Sequence, residues 1–121
     1  MTLTNEILLG STVYGTPSGN YDGSSQLFYS DPVRAANYYG GQGSIQTAVI
    51  STAGFVGNVR LQATLNDQPS IQAAWSEVAT FDNPSPITTT HTVTITGNFT
   101  FIRAEIDNFD AGTINSITLT F

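Results

Sequence analysis

Over its C-terminal two thirds the chain alternates apolar and polar residues with a period of two, the pattern of half-buried β-strands. Residues 57–66, "GNVRLQATLN", place Val59, Leu61, Ala63 and Leu65 on one face, with Asn58, Arg60, Gln62 and Thr64 on the other. Residues 99–107, "FTFIRAEID", set Ile102, Ala104 and Ile106 against Phe101, Arg103 and Glu105. Residues 88–97, "TTTHTVTITG", turn Val93 and Ile95 inward from a row of threonines, and the closing "TINSITLTF" keeps Ile117, Leu119 and Phe121 in step. Residues 74–81, "AWSEVATF", predict a strand with Trp75, Val78 and Phe81 in the core. Residues 44–52 alternate as well, but both parities are apolar enough to face a core. "NDQPS", "DNPSP" and "NFDAG" separate these runs and predict turns.

Residues 1–43 are rich in Gly, Pro, Ser, Asn and Asp around several aromatic rings, and predict an irregular, turn-rich part. Short strands are expected near residues 11–14 and 26–29. The stretch 31–37, "DPVRAAN", predicts a helical turn, because Asp caps helix starts and Pro is tolerated just after the cap. The whole reads as a single domain over residues 1–121: all-β, an antiparallel sandwich or barrel of roughly seven or eight strands spaced about 8–12 residues apart.

Composition sharpens this. Charged residues are only 10% of the chain, against about a quarter in ordinary soluble domains. Neutral polar side chains replace them, with 18 Thr, 11 Ser and 9 Asn. Threonine combines a β-branch that favours extended backbone with a hydroxyl that meets water. The net charge is −6, with three Arg and no Lys, which argues against direct nucleic-acid binding and against anionic membrane surfaces. Lysine is a common guard of sheet edges, so a sheet protein without it either covers its edges or associates through them. Without cysteine there is no disulfide, thiolate nucleophile or thiolate metal ligand. The start carries no basic segment and only a short apolar run, so neither a signal peptide nor a transmembrane span is expected.

From Val59 on, the landmarks "VRLQATLND", "WSEVATF" and "TVTITGNFTFIRAEIDNFDAGTINSITLTF" resemble the discoidin-like, galactose-binding-type jelly-roll sandwich. The same string is similar to small structural proteins of tailed phages of the cyanophage type, where "GNF" followed by aromatic, aliphatic and Arg, and "F-AGTI-SI", recur in virion components. The resemblance covers about half the chain. It implies architecture and a virion setting. Discoidin-type domains are often closed by a disulfide, which is absent here, and no ligand residue carries over.

Few residues can do chemistry. His91, the sole histidine, sits among threonines with no nucleophile elbow nearby, and predicts an exposed strand residue. Glu105, Asp107 and Asp110 lie at the last turn, where acidic side chains serve the local backbone more often than a glycosidase cleft. "NYDGSS" and "FDN" offer oxygen ligands without the alternating acids and terminal Glu of a calcium loop, so no metal and no cofactor is expected. Adjacent Tyr38 and Tyr39, beside glycines, suit a protein interface and, second, a sugar. Arg103 and Glu105 share a strand face and are expected to bridge to neighbouring strands or to a partner.

With the virion setting that the resemblance implies, the expectation is a non-enzymatic bacteriophage virion structural protein, made in the host cytoplasm, that decorates (cements) the capsid. Its expected partners are the major capsid protein, other virion proteins and further copies of itself. The alternative is a carbohydrate- or receptor-binding module of a tail fibre, neck appendage or lectin.

Overall fold

A computed structural model describes residues 5–36, 44–65 and 75–121. Among these are seven strands: β1 (Asn5–Leu9), β2 (Thr12–Val13), β3 (Phe28–Tyr29), β4 (Val33–Arg34), β5 (Ile45–Thr64), β6 (Ser76–Thr96) and β7 (Phe101–Thr120). All pairings are antiparallel, in the order β1-β7-β5-β6. The opposite edge of β7 is shared by β4, β3, β2 and β1, which dock in turn from its start to its end.

Three strands of 20 or 21 residues are too long to lie flat. Twenty extended residues reach roughly 65 Å, while a domain of this size has a radius of gyration of about 14 Å. Each long strand therefore bends midway and passes from one layer into the other. In β5 the bend lies at Gly54–Gly57, where the buried set changes from Gln46, Ala48, Ile50 and Thr52 to Phe55, Gly57, Val59, Leu61 and Ala63. The register slips there against both neighbours. In β6 it lies between Asn83 and Ile87, around Pro84 and Pro86. In β7 it runs from Asn108 to Gly112, both at positive φ (49° and 84°). As a result β1, on the end of β7, touches β4, on its beginning.

One core fills the space between the layers. Val59, Leu61, Ile102, Ala104, Ile106, Ile117 and Leu119 are fully buried in it. Gln46, also fully buried, ties the layers together. Its Oε1 accepts from Ala36 N (3.1 Å), and its Nε2 donates to Ile95 O (2.7 Å) and Gly97 O (3.3 Å). At the bend, Tyr21, Phe28, Phe55 and Tyr14 gather around Phe109, with centroids 5.0–6.1 Å apart.

Several expectations change. The helical turn expected over 31–37 is absent from its described part: Val33 and Arg34 pair with Ile102 and Phe101. Asp31 caps nothing, because its carboxylate accepts from Asn20 Nδ2 (3.0 Å). The runs on either side of "DNPSP" and of "NFDAG" are halves of single strands, β6 and β7. The runs 44–52 and 57–66 likewise belong to one strand, β5, within its bounds. Leu65, expected inward, is 69% exposed because β5 has ended.

Candidate functional site

The outer face of the layer built from β3, the second half of β5, the first half of β6 and the first half of β7 holds a connected polar network. Register decides its members. Gln62 lies opposite Arg103, Arg60 opposite Glu105, and Asn58 opposite Asp107. These are the residues that alternation turns away from Val59, Leu61, Ile102 and Ala104.

Arg103 is the centre. It is only 8% exposed although it faces outward. Its guanidinium lies 4.5 Å from the Tyr29 ring centroid and 4.4 Å from that of Trp75. Its Nε donates to Gln62 Oε1 (2.8 Å), and Gln62 Nε2 donates to Glu105 Oε2 (2.8 Å). A neutral amide thus couples the cation to the acid. Beside it, Arg60 Nε reaches Glu77 Oε1 (3.2 Å), and its Nη1 donates to Asp107. Asp107 also accepts from Asn58 Nδ2 (2.8 Å). Cation–π contact contributes about 0.5–2 kcal/mol per ring, depending on how far water is excluded. The result is a patch of Arg, Tyr and Trp whose donors and acceptors are held by one another.

Arg103 and Glu105 were expected to share a face and bridge to neighbouring strands, and they do so through Gln62. Tyr38 and Tyr39 lie outside the described residues. Trp75, expected in the core, instead covers Arg103 at the start of β6, outside the buried cluster. Tyr29 went unrecognised in the sequence, because pairing it with Glu105 requires knowing that β3 docks on β7. His91, expected exposed, is half-buried. It pairs with Ile50, so it points between the layers and stacks on Phe81 (4.6 Å, 13°).

Other candidates are engaged locally. Asp22 accepts from the backbone of Ser24 (2.9 Å) and Ser25 (2.7 Å) and from the Ser25 hydroxyl (2.7 Å). These bonds, the Ser24 backbone bond foremost, hold its pKa down from 3.8 to about 2. Asp110 accepts from Gln26. Among the described residues no three His, Asp or Glu side chains converge to hold a metal ion. A shallow groove of about 190 Å³ between β1 and β4, lined by Leu8, Leu9, Asn20, Ser30 and Val33, falls below the usual ligand-pocket range of about 300–1,000 Å³.

No protein-family model matches the chain, and no curated protein matches it. Among solved structures it is similar to the C-terminal CBM6 of LamC, a marine laminarinase from Zobellia galactanivorans. The identity is 10% and the TM-score 0.51, over 99% of this chain and 100% of that one. It is also similar to CBM32-4 of CpGH89 from Clostridium perfringens, solved in complex with GlcNAc-α-1,4-galactose (13% identity, TM-score 0.49, 95% and 91% covered). A third likeness is to infectious bursal disease virus, Gx strain (15%, TM-score 0.41, 99% and 32% covered). At such identities likeness speaks of fold. The chain is an all-β, antiparallel jelly-roll sandwich.

Proposed function

We propose that this protein is a non-catalytic contact module, and specifically a virion structural protein of a tailed phage that decorates the capsid from the host cytoplasm onward. The observation that carries the reading is Arg103, 8% exposed, fixed between Tyr29 and Trp75 on the outward side of this layer, where the two rings and the neighbouring polar side chains would form the contact surface. Arg, Tyr and Trp are the residue types that dominate protein interfaces, and a side chain already immobilised loses little entropy on binding. A decoration protein needs no chemistry. By binding only the assembled lattice, it stabilises that lattice through mass action. The virion setting rests on the resemblance read in the sequence from Val59 on.

The test is cosedimentation with emptied, expanded tailed-phage capsids, together with their thermal stability. Wild-type protein is expected to bind and raise the capsid melting temperature. Arg103→Ala is expected to weaken binding by about 30-fold, the effect of losing a hot spot of about 2 kcal/mol. Absence of capsid binding by wild-type protein would reject the reading.

One observation favours a second reading, carbohydrate binding. The same patch joins aromatic rings to fixed donors and acceptors on Arg60, Gln62 and Glu105, in a fold shared with a carbohydrate-binding module. Saturable binding on a glycan array, abolished by Trp75→Ala, would select it.

A further inference from the structure

Strand β6 hydrogen-bonds to β5 on one side, and no described strand pairs with its other edge. The two halves of that edge differ. The first half carries Glu77 and Asp82 and ends in Pro84 and Pro86, features that discourage strand addition. The second half, residues 88–96, carries no Asp, Glu, Arg, Pro or Gly. Its pairing with β5 runs unbroken from Thr52↔Thr89 to Ile45↔Thr96. It is a straight, uncharged edge roughly 27 Å long.

Its side chains are also unfinished. The core-facing residues of β5 and β7 are fully buried, whereas in this half of β6 only Ile95 is, and His91 and Val93 are partly exposed. Outward, Thr88, Thr90, Thr92, Thr94 and Thr96 are exposed.

We infer that this edge pairs antiparallel with the same edge of a second copy, giving a two-fold dimer with one continuous outer layer. The sequence is self-complementary for this pairing. Centred on Thr92, the arrangement sets Thr88 opposite Thr96, Thr90 opposite Thr94, and Thr92 opposite Thr92 of the other copy. Every outward pair is Thr–Thr, a favourable cross-strand pair, and no like charges oppose. A chain of net charge −6 repels a copy of itself across its acidic surfaces, and this neutral edge lets two copies approach. Extending the sheet also shields the half-buried Val93 and His91. A two-fold axis makes the patch serve both partners, so a single surface suffices. The inference stands apart from the virion reading and does not use the Arg103 face.

Sedimentation velocity on the full chain, up to roughly 200 µM so that a Kd as weak as about 100 µM is seen, is expected to show a monomer–dimer equilibrium. Thr92→Lys sets two like charges face to face at the axis, and is expected to leave the fold intact by circular dichroism and the protein monomeric. Thr92→Cys is expected to oxidise to a disulfide-linked dimer, since directly opposed positions bring Cα atoms within reach of a disulfide. A monomeric wild-type protein across that range would overturn the inference. So would dimerisation of Thr92→Lys equal to wild type, or a Thr92→Cys protein that stays unlinked.

Discussion

Gln46 shows at the scale of one residue how a polar group can be worth burying. It is fully buried, yet both ends of its amide are bonded, one to the loop after β4 and one to the carbonyls of Ile95 and Gly97. Its value is therefore positional: it fixes how the two layers meet. Gln46→Leu keeps the approximate volume but strands Ala36 N and takes a second donor from the Ile95 and Gly97 carbonyls, and an orphaned buried group costs about 1–3 kcal/mol. Urea unfolding is expected to show a loss of about 2–4 kcal/mol, and an unchanged midpoint would mean that water replaces the amide. This residue was half legible. Alternation marked 44–52 as a strand, but Ile45 and Val49 on one face look as apolar as Ala48 and Ile50 on the other. The tie is broken by tertiary partners, leaving Ile45 60% exposed and Gln46 inside. By contrast, the outward set Arg60, Gln62, Arg103 and Glu105 was legible in full, because each faces away from an unambiguous aliphatic row.

At the scale of elements, alternation located the runs that make the long strands, and punctuation misled about how they connect. Asn, Asp, Gly and Pro mark departures from extended geometry, and a strand bending between layers needs the same conformations as a reversal. "NFDAG" thus reads as a turn while being the corner of β7, which also hides Phe109, fully buried amid four other rings. Strand β1 escaped notice because it is short and its pairing partner lies more than a hundred residues away, at Thr120. The corner is intolerant of side chains. Gly112 sits at φ +84°, and a Cβ there would fall 2.1 Å from the Gly54 carbonyl oxygen, a backbone atom that cannot step aside. Gly112→Ala is accordingly expected to destabilise the fold by about 2–4 kcal/mol, combining backbone strain with displacement of β5. Thermal melting followed by circular dichroism measures it. A change below about 0.5 kcal/mol, the level of an ordinary surface substitution, would show that the two strands part freely at the corner.

The whole molecule inherits a constraint from these corners. Most sandwiches assemble two sheets from separate strands, whereas here β5, β6 and β7 each supply a segment to both layers. Neither layer can then come apart without pulling its strands out of the other, so the molecule is expected to unfold as one cooperative unit. Trp75, the sole tryptophan, reports on the outer face of one layer through its contact with Arg103, while far-UV circular dichroism averages over both. Their urea transitions are expected to coincide, with equal midpoints and slopes. Non-coincident curves would mean that the bends act as hinges between separable halves. The same topology makes folding slow. Pairs such as Asn5↔Thr120 and Thr47↔Thr120 close long loops before any contact rewards them, which places refolding in the millisecond-to-second range expected of non-local β-sheets. In a body that is costly to nucleate and opens only as a whole, each outward residue stays where the sheet register put it until the entire sandwich is lost.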